Sequence, residues 1–321
     1  MKKDFKNLNE QIDILRQKGL IVNDSEYAKK VLFRENYFFL NGYRLLFMRS
    51  NVDRRYIEGA TFEELYSLFL FDRTLRNILF KNILIVENNI KSIISYQLSI
   101  KYGYREKDYL VPKNFTTNKE KSRQVLDIIK KMKRQINFNA SQHSATSHYI
   151  NNYGYIPLWV LVKVLSFGIV GELYSILKKE DQLGIAEIYN IDVDALANYL
   201  TILSNYRNLC AHEDIVFCNK TQREVEDNEY HKLLHIPIMD DEYIYGKNDV
   251  FALILVLKRM LSKEEFSNFI EEVKHNIDNL DLNLHSIKID KVLDNMGFPK
   301  NYYELKNIDE VVRWKQIIKE V

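Results

Sequence analysis

The sequence predicts an all-α protein, on three observations. Only 10 Gly and 4 Pro punctuate 321 residues, far fewer turn-forming residues than a sheet protein of this length uses. Apolar residues recur at three- and four-residue intervals over long stretches, which is the period of a helix face. With 46% hydrophobic residues and no shift in composition along the chain, there is material for one large core or two small ones, and no sign of a disordered tail.

Leu8, Ile12 and Leu15 mark a first helix that stops at Gly19, a natural C-terminal cap. Asp24-Ser25 opens a second helix through Val31 and Leu32. The aromatic stretch 37–48, containing Gly42, fits helix or strand. Thr61-Phe62-Glu63-Glu64 is a capping box, in which the threonine and the second glutamate exchange hydrogen bonds with each other's backbone amides. Behind it Leu65, Phe69, Leu79, Ile83, Val86, Ile90 and Ile94 trace one stripe as far as Gly103, giving one very long helix or two nearly collinear ones. Asp72 and Arg76 lie on that inward stripe four residues apart, so they should pair with each other, since inward charges need partners.

Further helices are expected over 119–135, over 157–178 behind Pro157, and from Asp194 into the segment 207–212. Residues 219–246, polar and interrupted by Pro237, read as a loop or small excursion. Helix resumes over 249–261 and 262–277, the latter behind the cap Ser262-Lys263-Glu264-Glu265, and a short helix should run from 308 to the end. No repeat or low-complexity segment interrupts this order, which divides into an N-terminal helical segment 1–60, a helical core 61–220 and a helical extension 221–321.

Two Cys give no disulfide framework, and Met1-Lys2-Lys3-Asp4 leads directly into an amphipathic pattern rather than a secretory signal. The most apolar run, 156–177, is interrupted by Lys163, Ser166, Gly168 and Glu172 and is no membrane span. A cytoplasmic protein without membrane contact is expected. The formal net charge is only +2, but it is unevenly placed: residues 101–137 hold eleven Lys or Arg against four Asp or Glu, a local excess of seven positive charges. Tyr102, Tyr104, Tyr109 and Phe115 are interspersed there. Basic residues mixed with aromatics can grip phosphates and stack bases, and Lys130, Lys131, Lys133 and Arg134 are the candidate RNA contacts; a solvated helix face is the alternative.

The chemistry converges on Arg207-Asn208-Leu209-Cys210-Ala211-His212. Cleaving a phosphodiester through the neighbouring 2′-hydroxyl needs a proton carrier that titrates near neutrality and a fixed cation for the charge that builds on the phosphoryl oxygens. Histidine and arginine supply these. Leu196, Leu200 and Leu203 form a ladder whose next rung is Arg207, an unusual place for an arginine unless it is paired or faces a cleft or partner chain. A structural pairing with Asp72 or Glu87 is one alternative. On a regular helix His212 would stand about 140° around from Arg207, so either the helix ends between them or two copies of the motif meet. Asn208 could orient a histidine or hold phosphate; an ordinary helix-surface asparagine is the alternative. Cys210, Cys218, His231 and His235 are zinc-competent types, but seven residues separate the cysteines, more than the usual two to four. His143 and His148 sit in a Ser/Asn-rich stretch and read as surface residues. No phosphate-binding glycine loop, dinucleotide fingerprint or His-Glu-x-x-His motif occurs, and no cofactor is implied.

With Arg207 to His212 at a helix end, the chain resembles the Abi-like proteins of bacterial abortive infection, the AbiD/AbiF type within the HEPN superfamily. The resemblance also rests on Asn36-Tyr37 with Gly42-Tyr43-Arg44, on Phe71-Asp72-Arg73-Thr74-Leu75-Arg76 followed by Ile85-Val86-Glu87, on Tyr102-Gly103, and on Pro157-Leu158-Trp159-Val160 leading to Leu165-Ser166-Phe167-Gly168. These blocks follow the family's order from near residue 5 to about 220. The resemblance implies a HEPN-type helical bundle with additional N- and C-terminal helical elements, dimerising so that two Arg-x4-His motifs form one cleft, and a metal-independent, toxin-like endoribonuclease in phage defence. His212 would then be the acid–base group, Arg207 the cation at the phosphate and Asn208 a supporting polar residue, with Asp72, Arg76 and Glu87 behind them. Products would be a 2′,3′-cyclic phosphate and a 5′-hydroxyl. The implied partners are the RNA substrate, a second copy of the chain and an inhibitory RNA or protein antitoxin. Other HEPN-fold proteins bind RNA or partners without cutting, so a non-catalytic module that docks a structured RNA is the competing expectation, and a zinc-stabilised interaction protein a third.

Overall fold

The structure, a computed structural model, describes residues 4–50 and 52–308. Helix dominates, as the composition predicts. The N-terminal part holds α1 (Leu8–Gln17), α2 (Ser25–Glu35), α3 (Tyr37–Asn41) and a 3-10 turn over Gly42–Phe47, so the ambiguous aromatic stretch is helical. Then come α4 (Phe62–Tyr102), α5 (Glu106–Tyr109), α6 (Ser122–Asn139), α7 (Ser144–Tyr153), α8 (Leu158–Val164), α9 (Phe167–Ile176), α10 (Lys179–Ala186) and α11 (Val193–Ala211). The remainder is α12 (Glu229–Leu233), a two-residue hairpin of β1 (Ile238–Met239) and β2 (Glu242–Tyr243), then α13 (Val250–Met260), α14 (Lys263–Asp281) and α15 (Ile289–Met296). The helix expected from 308 onward lies outside the described residues.

The organising element is α4, one unbroken helix of 41 residues and therefore about 60 Å long. Its start is fixed by the expected capping box: Thr61 accepts from the Glu64 amide at 3.2 Å and Glu64 from the Thr61 amide at 3.1 Å. Gly103 stops it at φ +91°, a conformation that penalises any side chain. The stripe from Leu65 to Ile94 is buried throughout, against α8, α11 and α14, while α9 packs on α11 and α6 on both α8 and α9. Each such Leu or Ile contributes roughly 1.5–3 kcal/mol by leaving water. All of α13 is buried, and a single apolar cluster runs from Ile12 to Leu305, through all three segments read from the sequence.

One sequence expectation needs correction. The helix expected over 157–178 is two, because Ser166 breaks it: its backbone is extended and its hydroxyl caps the Ile169 amide, starting α9 in a new direction. The Ser/Asn-rich stretch after 140, where the sequence announces no element, is α7, opened by His143, whose Nδ1 caps the Thr146 amide.

Candidate active site

Helix α11 carries the motif and is regular to its last residue. Leu196, Leu200 and Leu203 are fully buried against the core. His212 still donates its amide to the Asn208 carbonyl at 3.0 Å, a helical bond, and only Glu213, at φ +58°, turns the chain away. The helix therefore does not end between Arg207 and His212, and their offset of about 140° stands. Asn208 and His212 are exposed at the end of the helix, whereas Arg207 points into the seam with α4.

In that seam the Arg207 side chain is 34% exposed and its Nε lies 3.7 Å from Oε2 of Glu87, itself 8% exposed. The guanidinium also sits 5.6 Å from the centre of the Phe80 ring. Both Nε and Oε2 are buried without a hydrogen-bond partner, so this ion pair is loose. The other oxygen of Glu87 accepts from Lys91 at 2.6 Å, one helical turn away. Glu87 is thus a buried carboxylate shared by two cations, which holds Arg207 at the helix surface without fully satisfying it.

The loop after His212 is tied down from α4. Asp72, buried completely, accepts from the Phe217 amide at 2.7 Å, the Val216 amide at 3.3 Å and the Tyr43 hydroxyl at 2.7 Å, and it pairs with Arg76 as the four-residue spacing predicts. Arg76 in turn donates to the Tyr43 hydroxyl at 3.0 Å and to the Asp214 carbonyl at 3.3 Å. Burial pushes the Asp72 carboxyl up, against the pull of the Arg76 guanidinium, the Tyr43 hydroxyl and the two amides. Tyr43 stacks on Phe217 at 5.7 Å, closing the clamp. Asp72 and Arg76 therefore position the chain directly downstream of the motif. The backbone partners at 214–217 carry no sequence signal, because amides and carbonyls are the same in every residue.

A cleft of about 460 Å³ opens beside this clamp, its lining including Arg34, Phe38, Arg44, Arg73, Glu213 and Asp214. Glu35 takes the Arg73 guanidinium in a two-pronged pair, which holds its carboxyl below the usual range. Neither Glu35 nor Arg73 was singled out from the sequence. A carboxylate and an arginine 38 positions apart on different helices have no spacing to reveal them.

The remaining candidates are placed as follows. Lys130, Lys131, Lys133 and Arg134 are all exposed on α6, and Lys131 pairs with Glu172 of α9. Tyr109 and Phe115, expected among the stacking aromatics, are buried, and Tyr102 donates its hydroxyl to Asp181; only Tyr104 of that group is exposed. The zinc-competent residues serve other roles. His231 is buried between the Gly246 carbonyl and the Asn228 amide, His235 occupies a turn at φ +52°, and burial pushes the Cys210 thiol up to about 12. No group of three or more His, Cys, Asp or Glu able to hold a metal occurs among the described residues. No helix of the described residues is long and apolar enough to cross a membrane.

The family model described as Abi-like protein matches residues 30–218 of the chain. No curated protein and no solved structure matches. The matched span begins in α2, takes in the whole of α4 and the motif helix, and ends at the residue after Phe217, where Asp72 anchors the loop. It covers well over half of the chain, and the protein belongs to the Abi-like protein family.

Proposed function

We propose that the protein is a metal-independent endoribonuclease of the AbiD/AbiF type in the HEPN superfamily, acting as a homodimer in phage defence by abortive infection. The observation that carries this reading is the regular helix through His212. It exposes a histidine and an asparagine at its end while Glu87 holds Arg207 a third of a turn or more away, so one chain does not aim both groups at one phosphate. Two copies meeting at this end of α11 bring the missing groups together.

The 2′-oxygen of the substrate attacks the adjacent phosphorus, forming the 2′,3′-cyclic phosphate as the bond to the 5′-oxygen breaks. His212 of one chain takes the 2′-hydroxyl proton, and its counterpart in the second chain gives a proton to the leaving oxygen. Arg207 neutralises charge on the phosphoryl oxygens, and its loose pairing with Glu87 leaves it free to shift its hydrogen bonds onto the phosphate. Asn208, one residue along on the exposed face, contributes an amide to the phosphate or to a histidine. Asp72 and Arg76 fix the loop that follows His212. A toxin-like activity of this kind requires restraint by an RNA or protein inhibitor in the cytoplasm.

Purified protein should cleave single-stranded RNA in the presence of EDTA, leaving 2′,3′-cyclic phosphate ends. Arg207→Ala and His212→Ala should each abolish cleavage with the fold and dimer retained. Specific activity should fall on dilution through the dimer dissociation constant. Undiminished cleavage by either variant refutes the assignment, and RNA binding without turnover by the native chain makes the motif a docking site only.

A further inference from the structure

A row of neighbouring aromatic side chains lies outside the motif, where the chain leaves α4 and where α7 runs into α8. Tyr104 lies 5.5 Å from Trp159 and 5.7 Å from Tyr155, ring centre to ring centre; Tyr155 is 6.3 Å from Tyr153, which lies 5.3 Å from Tyr149. The row is open to solvent: Tyr104 is 37%, Tyr153 57% and Trp159 44% exposed. Arg105 lays its guanidinium 4.8 Å from the Tyr155 ring and 5.7 Å from Tyr104. We propose that this row, Tyr104, Trp159, Tyr155 and Tyr153 with Arg105, is a platform on which successive bases of single-stranded RNA stack.

Four features point to that occupant. First, the rings are held in place before anything binds. The Leu158 amide donates to the Tyr104 carbonyl at 3.1 Å, the Tyr109 hydroxyl donates to the Ile156 carbonyl at 2.8 Å, and the Ile156 amide donates to Glu106. These bonds clamp the two chain segments side by side, and Gly154, left-handed at φ +72°, turns Tyr155 back beside Tyr153. Second, the exposed rings are tyrosines and a tryptophan rather than aliphatic side chains, so the surface offers π faces with polar tips and tolerates water when empty. Third, a cation lies among the rings, which favours a π-rich, anionic ligand over an apolar helix.

Fourth, phosphate-binding charge is adjacent. Lys130, Lys133 and Arg134 recur at helical spacing on one exposed face of α6, and Lys133 lines a recess together with Lys107, two residues beyond Arg105. The nearby carboxylates are already engaged: Glu106 takes the Ile156 amide and Asp108 the Arg105 amide. A basic ridge beside a stacking surface is the arrangement that holds a single strand by its backbone while its bases lie on the rings.

The proposal rests on RNA being the ligand of the protein, and its test is independent of cleavage. The full chain carrying His212→Ala and Trp314→Phe keeps Trp159 as its sole tryptophan, since the sequence holds two. A twelve-residue oligoadenylate should quench Trp159 emission on titration, and Tyr104→Ala or Tyr155→Ala should weaken that binding by roughly tenfold or more, while Tyr104→Phe restores it. An abasic strand of equal charge binding as tightly as oligoadenylate overturns the proposal, because the surface then reads charge alone. Quenching by a proline-rich peptide but not by the oligonucleotide overturns it in favour of a protein partner. Emission that changes only with protein concentration makes the row a contact between copies and likewise overturns it. A chain that cleaves RNA but fails this titration retains the proposed activity and loses the platform; one that stacks RNA without cleaving does the reverse.

Discussion

Replacing Asp72 by alanine should be among the most damaging single changes available, because it leaves four donors without their acceptor. The Arg76 side chain is 4% exposed and would keep only the Tyr43 hydroxyl and the Asp214 carbonyl. Removing one member of a buried ion pair costs about 3–5 kcal/mol, and the orphaned amides of Val216 and Phe217 cost about 1–3 kcal/mol each when they find no water. A loss of at least about 4 kcal/mol is expected, a large share of the roughly 5–15 kcal/mol that keeps a domain folded. The pair Asp72→Leu with Arg76→Met removes both charges and fills similar volume, so it should recover the ion-pair part of the loss and keep only the part belonging to the two amides, about 2–6 kcal/mol. Urea unfolding followed by circular dichroism, with the denaturant slope checked for constancy, gives each number. The double variant should fold yet cleave RNA poorly, since nothing then ties 214–217 to α4. The reasoning fails if Asp72→Ala costs less than about 1 kcal/mol, or if the double variant is no more stable than the single one.

Three further outcomes follow from burial and backbone geometry. Cys210, its thiol raised to about 12 by burial, and Cys218, raised likewise, should react with iodoacetamide at pH 8 far more slowly in the native protein than in urea, for Cys210 by roughly a thousandfold; rapid native alkylation would contradict their placement. Burial raises the Asp249 carboxyl to about 6 from an ordinary 3.8, so the folded state holds its proton longer than the unfolded one. Its contribution is then fully present below about pH 4 and is lost as pH rises through 6, and the stability of the native chain relative to Asp249→Asn should fall over that window by on the order of 3 kcal/mol. A flat or rising difference refutes this. Gly297 ends α15 at φ +75°, with a Cβ position only 2.0 Å from an Asp249 oxygen, so Gly297→Ala should lower the urea-unfolding free energy by about 2 kcal/mol or more; an unchanged midpoint would be incompatible with the cap.

What the sequence reveals here is what repeats at short range. The box at Thr61 and Glu64, the Leu65 to Ile94 stripe and the Asp72–Arg76 pair are all i, i+3 or i, i+4 relations, and each appears where expected. The angular mismatch between Arg207 and His212 was equally readable, because it depends only on helix geometry. Ser166 was missed as a break, since its neighbours keep the apolar content of a continuous helix and only its cap on the Ile169 amide betrays the turn. The clamp on 214–217 and the Glu35–Arg73 pair join residues far apart in the chain, and no local pattern announces them. The aromatic row shows the same limit. The basic stretch led to Tyr102, Tyr109 and Phe115, two of which are core, while the rings beside Tyr104 come from residues 149–159.

The continuity of α4 makes the distance along it between Asp72 and Glu87 a fixed phase relation. A single residue inserted between them would turn everything beyond by about 100° and advance it by about 1.5 Å. Asp72 would still face the loop after the motif, but Glu87 would leave Arg207, Lys101 would leave Asp181, and Gln97 would leave the Gly184 carbonyl together. Substitutions at exposed positions of this rod are cheap; changes in its length are not. Natural variation in chain length among related proteins should therefore collect in the connections outside α4, and an engineered insertion between residues 72 and 87 should disrupt these contacts even as a whole number of turns, which restores the angle but shifts everything beyond by about 5.4 Å per turn.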